Sequence, residues 1–289
     1  MTSPLNSINN NRLIAFTTPE TYAVRLSPLI TRKGWTPLWC PTISVGPTAD
    51  TNSSLVHYLT PPSPIINSFS ALAFTSRNGI SAFLHAMSCI DSPPLSPYDD
   101  DKFIICTLGK DSELVDNSFI SKLCSNRDRI TLLVPEVSMP DRLVGLLGYG
   151  DGRKVLCPVP LVVGLEEPEV VPNFLRELGR MGWVAVRVDA YETRWMGPEG
   201  GVGLLLGTHK VDAIVFTSTA EVQGLLKSLK VMGLEWRDVV KRNPGIVVAA
   251  HGPVTAAGAE SRGVCPDVVS AKFGSFDGVV DALDQFWSK

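Results

Sequence analysis

Short apolar runs punctuate the chain, and three of them end in nearly the same letters: Ile14-Ala15-Phe16-Thr17-Thr18, Leu72-Ala73-Phe74-Thr75-Ser76 and Ile214-Val215-Phe216-Thr217-Ser218. Each run is short and apolar throughout, the mark of a strand buried on both faces. A stretch with helical spacing follows each one, with hydroxyl residues standing where a helix start is capped. The same alternation predicts strands over 13–16, 36–45, 72–74, 103–107, 131–134, 154–157, 184–191, 213–216, 246–250 and 267–269. Helices are predicted over 19–33, 78–89, 112–123, 141–147, 172–181, 220–232, 254–262 and 276–287, with a short helical stretch over 202–206. Residues 46–70 and 91–101, rich in Ser, Thr and Pro, read as loops, apart from a helical turn near 55–59. Strand and helix alternating in this way specify parallel sheets covered by helices.

The pattern repeats. Phe216 lies 216 − 74 = 142 residues after Phe74, Lys154-Val155-Leu156 lies 142 after Arg12-Leu13-Ile14, and Gly252 lies 143 after Gly109. Gly34-Trp35 is answered by Gly182-Trp183, and Asp141-Arg142-Leu143-Val144 by Asp277-Gly278-Val279-Val280. Two copies of one α/β unit are expected, and 289 residues with 44% hydrophobic content can bury two modest cores.

Composition removes several functions. A net charge of −3 with no Lys/Arg run gives no field for a nucleic-acid backbone, and no stretch is long and apolar enough to span a bilayer. Residues 1–11, rich in Ser and Asn, read as a loose terminus. The six cysteines contain no C-x-x-C pair and the four histidines are scattered, so a reducing compartment and no metal site are expected. Gly148, Gly150 and Gly152 precede a strand instead of following one, and Gly197 to Gly207 lacks the Lys-Ser/Thr of a phosphate-binding loop. No G-x-S-x-G elbow occurs.

What remains is a set of strand ends. Ser218-Thr219-Ala220-Glu221 fits a capping box, either as plain capping or as a ligand contact. In Ala250-His251-Gly252-Pro253-Val254-Thr255-Ala256, Gly252 allows close approach, Pro253 suits a first helical position, and the amides of Val254, Thr255 and Ala256 would face an anion. Tyr191 in Tyr191-Glu192-Thr193 ends a strand, where a phenol is either wetted at the rim or placed to donate a proton.

The order of Phe74-Thr75-Ser76-Arg77-Asn78-Gly79, Tyr191-Glu192-Thr193, Phe216-Thr217-Ser218 and His251-Gly252-Pro253-Val254-Thr255-Ala256 resembles the uroporphyrinogen-III synthase family over nearly the whole chain. The resemblance implies two similar flavodoxin-like α/β lobes with parallel sheets, joined by a two-stranded connector. Residues 1–42 plus 193–289 would form one lobe and 43–192 the other. It further implies a monomeric, cofactor-independent cyclising lyase that closes hydroxymethylbilane with inversion of the terminal pyrrole and loss of water, in haem or chlorophyll biosynthesis. The one partner is then the small linear tetrapyrrole, with no nucleic acid and no membrane. The setting is a soluble intracellular compartment, plastid stroma in a plant and cytoplasm otherwise. Residue by residue, Tyr191 matches the family's tyrosine that helps hydroxide depart, and Thr255 its threonine in the Gly-Pro-x-Thr-Ala turn. Ser76 and Ser218 match strand-end serines, and Thr219, Gly252 and Val254 join them as substrate contacts. The chain departs from the family at His251, at Gly109-Lys110-Asp111-Ser112 and at Cys157 to Val163. The rival expectation is an inactive member that binds tetrapyrroles or other polycarboxylates.

Overall fold

The structure, a computed structural model, describes residues 11–60, 64–98, 101–206 and 209–289. Nearly all of the terminus expected to be loose, the Pro-rich 61–63, and Gly207 at the end of the glycine-rich stretch lie outside the described residues. Two compact units divide the chain, Met1–Ser44 with Arg194–Lys289, and Val45–Thr193.

Strand β1 (Leu13–Phe16), helix α1 (Glu20–Arg32) and β2 (Thr36–Trp39) open the first unit. β3 (Ile43–Gly46) carries the chain into the second, which runs through α2 (Ala49–Leu59), β4 (Ala71–Ala73), α3 (Arg77–Met87), β5 (Phe103–Cys106), α4 (Asn117–Leu123), β6 (Ile130–Leu133), α5 (Pro140–Leu147), β7 (Lys154–Val163) and α6 (Val170–Arg180). β8 (Val184–Trp195) leads back to α7 (Gly203–Leu206), β9 (Ala213–Phe216), α8 (Thr219–Val231), α9 (Trp236–Arg242), β10 (Val247–Ala250), α10 (Pro253–Glu260), β11 (Val268–Val269) and α11 (Asp277–Trp287).

The first unit's sheet has the order β11-β10-β9-β1-β2, with every neighbouring pair parallel. The second has the order β3-β8-β7-β4-β5-β6, parallel between β7 and β4, β4 and β5, and β5 and β6. The sequence repeat maps onto these orders. β4 and β9 start 213 − 71 = 142 residues apart. In each sheet the repeat's five strands stand in the order second, first, third, fourth, fifth. The first copy runs β1, β2, β4, β5, β6 and the second β7, β8, β9, β10, β11, so each sheet combines the first two strands of one copy with the last three of the other.

Alternation along the strands places an apolar layer on each face of each sheet. In the first unit Ile14, Phe16, Ala213 and Val215 join Leu26, Ile30 and Leu283 on one face, while Ala15, Ile214 and Phe216 join Val222, Leu225 and Val239 on the other. In the second, Leu72 and Ile105 pack with Phe83 and Phe119, and Ala73 and Cys106 with Leu143 and Phe174.

Two expectations are corrected. The single strand over 36–45 is two strands in different sheets, parted at Cys40-Pro41-Thr42. Pro41 has no N–H for a ladder, and the amides of Cys40 and Thr42 turn to Phe16 and Thr17 carbonyls at 2.9 and 3.2 Å. The loop over 46–70 contains the eleven-residue α2, because Thr48 and Thr51 close a reciprocal capping box and Thr51, Leu55 and Leu59 bury one stripe. Helix α9 and the 3₁₀ turn at Gly109–Leu114 were not anticipated as separate elements.

Candidate active site

In the second unit the chain leaves β4 through Phe74 and Thr75 to Ser76, whose extended backbone (φ −154°, ψ 152°) makes it the cap of α3. Its Oγ accepts from Gly79 N at 3.2 Å and lies 2.8 Å from Tyr191 Oη. Tyr191, on β8, is 5% exposed, so the phenol is a buried, hydrogen-bonded group and not a wetted rim residue. Gly79 is needed for close approach: a Cβ there would stand 3.0 Å from Pro158 O on β7. Next to Tyr191, Glu192 accepts from Thr48 Oγ1 at 3.4 Å. Arg77, first residue of α3, has a loose 3.9 Å pairing with Asp111.

In the first unit Ser218 caps α8, its Oγ accepting from Glu221 N at 3.4 Å. The Glu221 side chain is fully buried and turns back over the helix start. Its Oε1 accepts from Ser218 Oγ at 3.1 Å and from Thr217 Oγ1, and its Oε2 from Thr217 N and Thr17 Oγ1, each at 3.0 Å. The capping-box reading is therefore modified, since the carboxylate returns to the amide one residue before the cap. Burial is the largest influence on this carboxyl and pushes it up to about 7, against the lowering effect of the Thr217, Thr17 and Ser218 hydrogen bonds.

Thr219 packs so closely on α10 that a Cβ at Gly258 would come 2.6 Å from its Cγ2 and 2.8 Å from its Cβ. Thr255, 6% exposed, donates to Thr217 O at 3.2 Å. Gly252 has an extended φ of −167°, open to any residue, but a Cβ would stand 2.9 Å from Phe273 Cβ. Ala256 N donates to Gly252 O as the first bond of α10, which removes Ala256 from the amides expected to face an anion and leaves Val254 and Thr255 ahead of that bond. Val254 is 63% exposed. His251 is tilted against Phe276 with ring centroids 5.0 Å apart. Burial lowers its pKa, with the Arg25 charge in the same sense and a Phe273 backbone bond opposing them.

Ser76 and Tyr191 thus meet in one unit, and Ser218, Thr219 and Thr255 gather between α8 and α10 in the other, with Gly252 and Val254 at the start of α10. Glu221 escaped attention as a site residue, although it is the third helical residue after Ser218, the position the capping box singles out. Among the described residues no helix is long and apolar enough to cross a membrane, and no three His, Cys, Asp or Glu are grouped to hold a metal.

The family model described as "Uroporphyrinogen-III synthase HemD" matches residues 24–279. The chain belongs to the uroporphyrinogen-III synthase family. A mutant uroporphyrinogen III synthase from the extremely thermophilic bacterium Thermus thermophilus is similar at 18% identity with a TM-score of 0.60, over 96% of this chain and 99% of that one. Uroporphyrinogen-III synthetase from Helicobacter pylori is similar at 15% identity and a TM-score of 0.54, over 95% and 99%. At these identities the two likenesses bear on the fold, which is the two-lobe α/β fold of uroporphyrinogen-III synthases. A search of curated proteins finds no match. Membership in the uroporphyrinogen-III synthase family makes the chain an enzyme of cyclising-lyase type in tetrapyrrole and haem biosynthesis.

Proposed function

We propose that the chain closes linear hydroxymethylbilane to uroporphyrinogen III as a monomer, without metal or organic cofactor, with Tyr191 as the proton donor. The observation that carries this reading is the 2.8 Å bond between Tyr191 Oη and Ser76 Oγ. Ser76 Oγ accepts from Gly79 N and is hydrogen-bonded to Tyr191 Oη, which holds the phenol at the start of α3 beside the acceptor its proton would reach. That acceptor is the substrate's terminal hydroxyl. The C–O bond breaks with its electron pair going to oxygen, the phenol proton completes a water molecule, and the pyrrole nitrogen lone pair stabilises the methylene cation. The Ser76 hydroxyl holds the tyrosinate meanwhile. Attack by the substituted carbon of the terminal pyrrole, migration, and loss of a ring proton to the tyrosinate regenerate the phenol, with water as the net loss.

The substrate's carboxylates need donors, and an acidic chain offers them at helix starts. The amides of Val254 and Thr255 and the glycine turn at Gly252 supply one such start in α10. Holding a flexible polycarboxylate so that its ends meet accounts for much of the required rate.

Separation of the porphyrin isomers in a coupled assay tests the reading. The type III isomer is expected, whereas exclusive type I, the product of unassisted closure, would refute it. Tyr191→Phe should lower kcat by about 10- to 1,000-fold. Unchanged turnover would remove the phenol from the chemistry.

A further inference from the structure

The repeat pairs Ser76 with Ser218 and Gly79 with Glu221, since 218 − 76 and 221 − 79 are both 142. Both serines cap a helix by accepting from the amide three residues on. Beyond the cap they differ. Gly79 brings no side chain, and Ser76 Oγ is left to meet Tyr191. Glu221 brings a fully buried carboxylate whose two oxygens take three hydroxyls and one backbone amide, from Thr17, Thr217 and Ser218. These are the donors that a bound carboxylate would use at such a helix start. One of them, Thr17, comes from the end of β1, so the seat is built from two strand ends and a helix.

We propose that Glu221 is a built-in occupant of the carboxylate seat at the start of α8, so that the repeat-related helix starts divide their work: the one at Ser76 stays open to substrate and the one at Ser218 is closed to a second carboxylate. This rests on the substrate reading above and narrows it. The Ser218 proton is committed to Glu221 Oε1, which makes Ser218 a positioning residue. The same turn presents Thr217 O to Thr255 Oγ1 at 3.2 Å, so Glu221 also fixes the threonine at the start of α10.

Glu221→Gly, which copies the Gly79 arrangement, tests this in the full chain with formate as the probe. Millimolar formate should raise the Tm of Glu221→Gly in a saturable way and leave the wild type unmoved, with chloride at equal ionic strength as the control. Glu221→Gln, which still fills the seat, should not respond. Equal formate responses in wild type and Glu221→Gly, or none in Glu221→Gly, would overturn the proposal. If Glu221→Gly does not fold in buffer, its refolding yield reads the same seat: recovery with formate supports the proposal and no recovery refutes it. Kinetics give a second readout. Ser218→Ala should lower Tm while KM stays within about twofold, whereas a tenfold rise in KM would show direct substrate contact and refute the closed seat. The formate response needs no substrate, so failure to form the type III isomer would sink the substrate reading without touching it.

Discussion

At the scale of single residues, Glu221 makes stability depend on pH with a sign opposite to that of most carboxylates. Its usual pKa of 4.5 applies to the unfolded chain, and burial raises it to about 7 in the folded one. Below about 4.5 both states hold the proton and Glu221 contributes no slope. Between about 4.5 and 7 the unfolded chain releases a proton that the folded chain keeps, so stability falls as pH rises, and above about 7 the loss levels off. The loss is on the order of 3 kcal/mol. Urea midpoints for wild type and Glu221→Gln, measured from pH 4.5 to 8, should diverge, with wild type losing relative to the amide. Parallel curves would mean that the carboxyl titrates alike in both states. The sequence made the motif visible but not its burial. Ser218-Thr219-Ala220-Glu221 reads as local capping, whereas the partner that helps seal the carboxylate, Thr17, is 204 residues away. Tyr191 and Ser76 were legible from the order of motifs, yet their mutual bond spans 115 residues and no spacing carries it.

Elements were legible where local physics decides them and obscure where partners do. β1 and β9 fall within their predicted bounds because uniformly apolar runs ending in hydroxyls have few alternatives. The Ser- and Thr-rich α2 looked like a loop because such residues compete for backbone bonds in a helix interior, and its capping box and buried Leu55 and Leu59 outweigh that tendency. The β2–β3 break is a question of which sheet receives each half, and residues 36–45 read alone cannot answer it. Close approach of elements also sets what glycines do. Gly258→Ala would drive a Cβ into Thr219 and force α8 and α10 apart, with a cost of about 1–3 kcal/mol. Gly145, exposed on α5 with nothing within 4 Å of its added Cβ, is the control: Gly145→Ala should gain up to about 1 kcal/mol from helix propensity. Thermal melts of the pair should shift in opposite directions. A neutral Gly258→Ala would mean that the two helices yield freely.

For the whole molecule, the repeat and the division into units cut the chain in different places. The repeat divides it near its middle, yet each sheet takes strands from both copies, and the chain crosses between units in β3 and β8. That difference has consequences for fragments. Residues 43–195 contain every strand of the β3-β8-β7-β4-β5-β6 sheet and both apolar layers against it, so this piece should unfold cooperatively in urea with native-like far-ultraviolet circular dichroism. Residues 196–289 contain β9, β10 and β11 but lack β1, which is hydrogen-bonded to β9 and brings Ile14 and Phe16 to the core. They also lose the 2.8 Å bond from Leu13 N to Asp212, and with it the strand that bears Thr17. Alone they should not fold, and a peptide of residues 11–41 added in trans should restore cooperative structure. Independent folding of 196–289, or an unfolded 43–195, would show that stability does not follow the sheets.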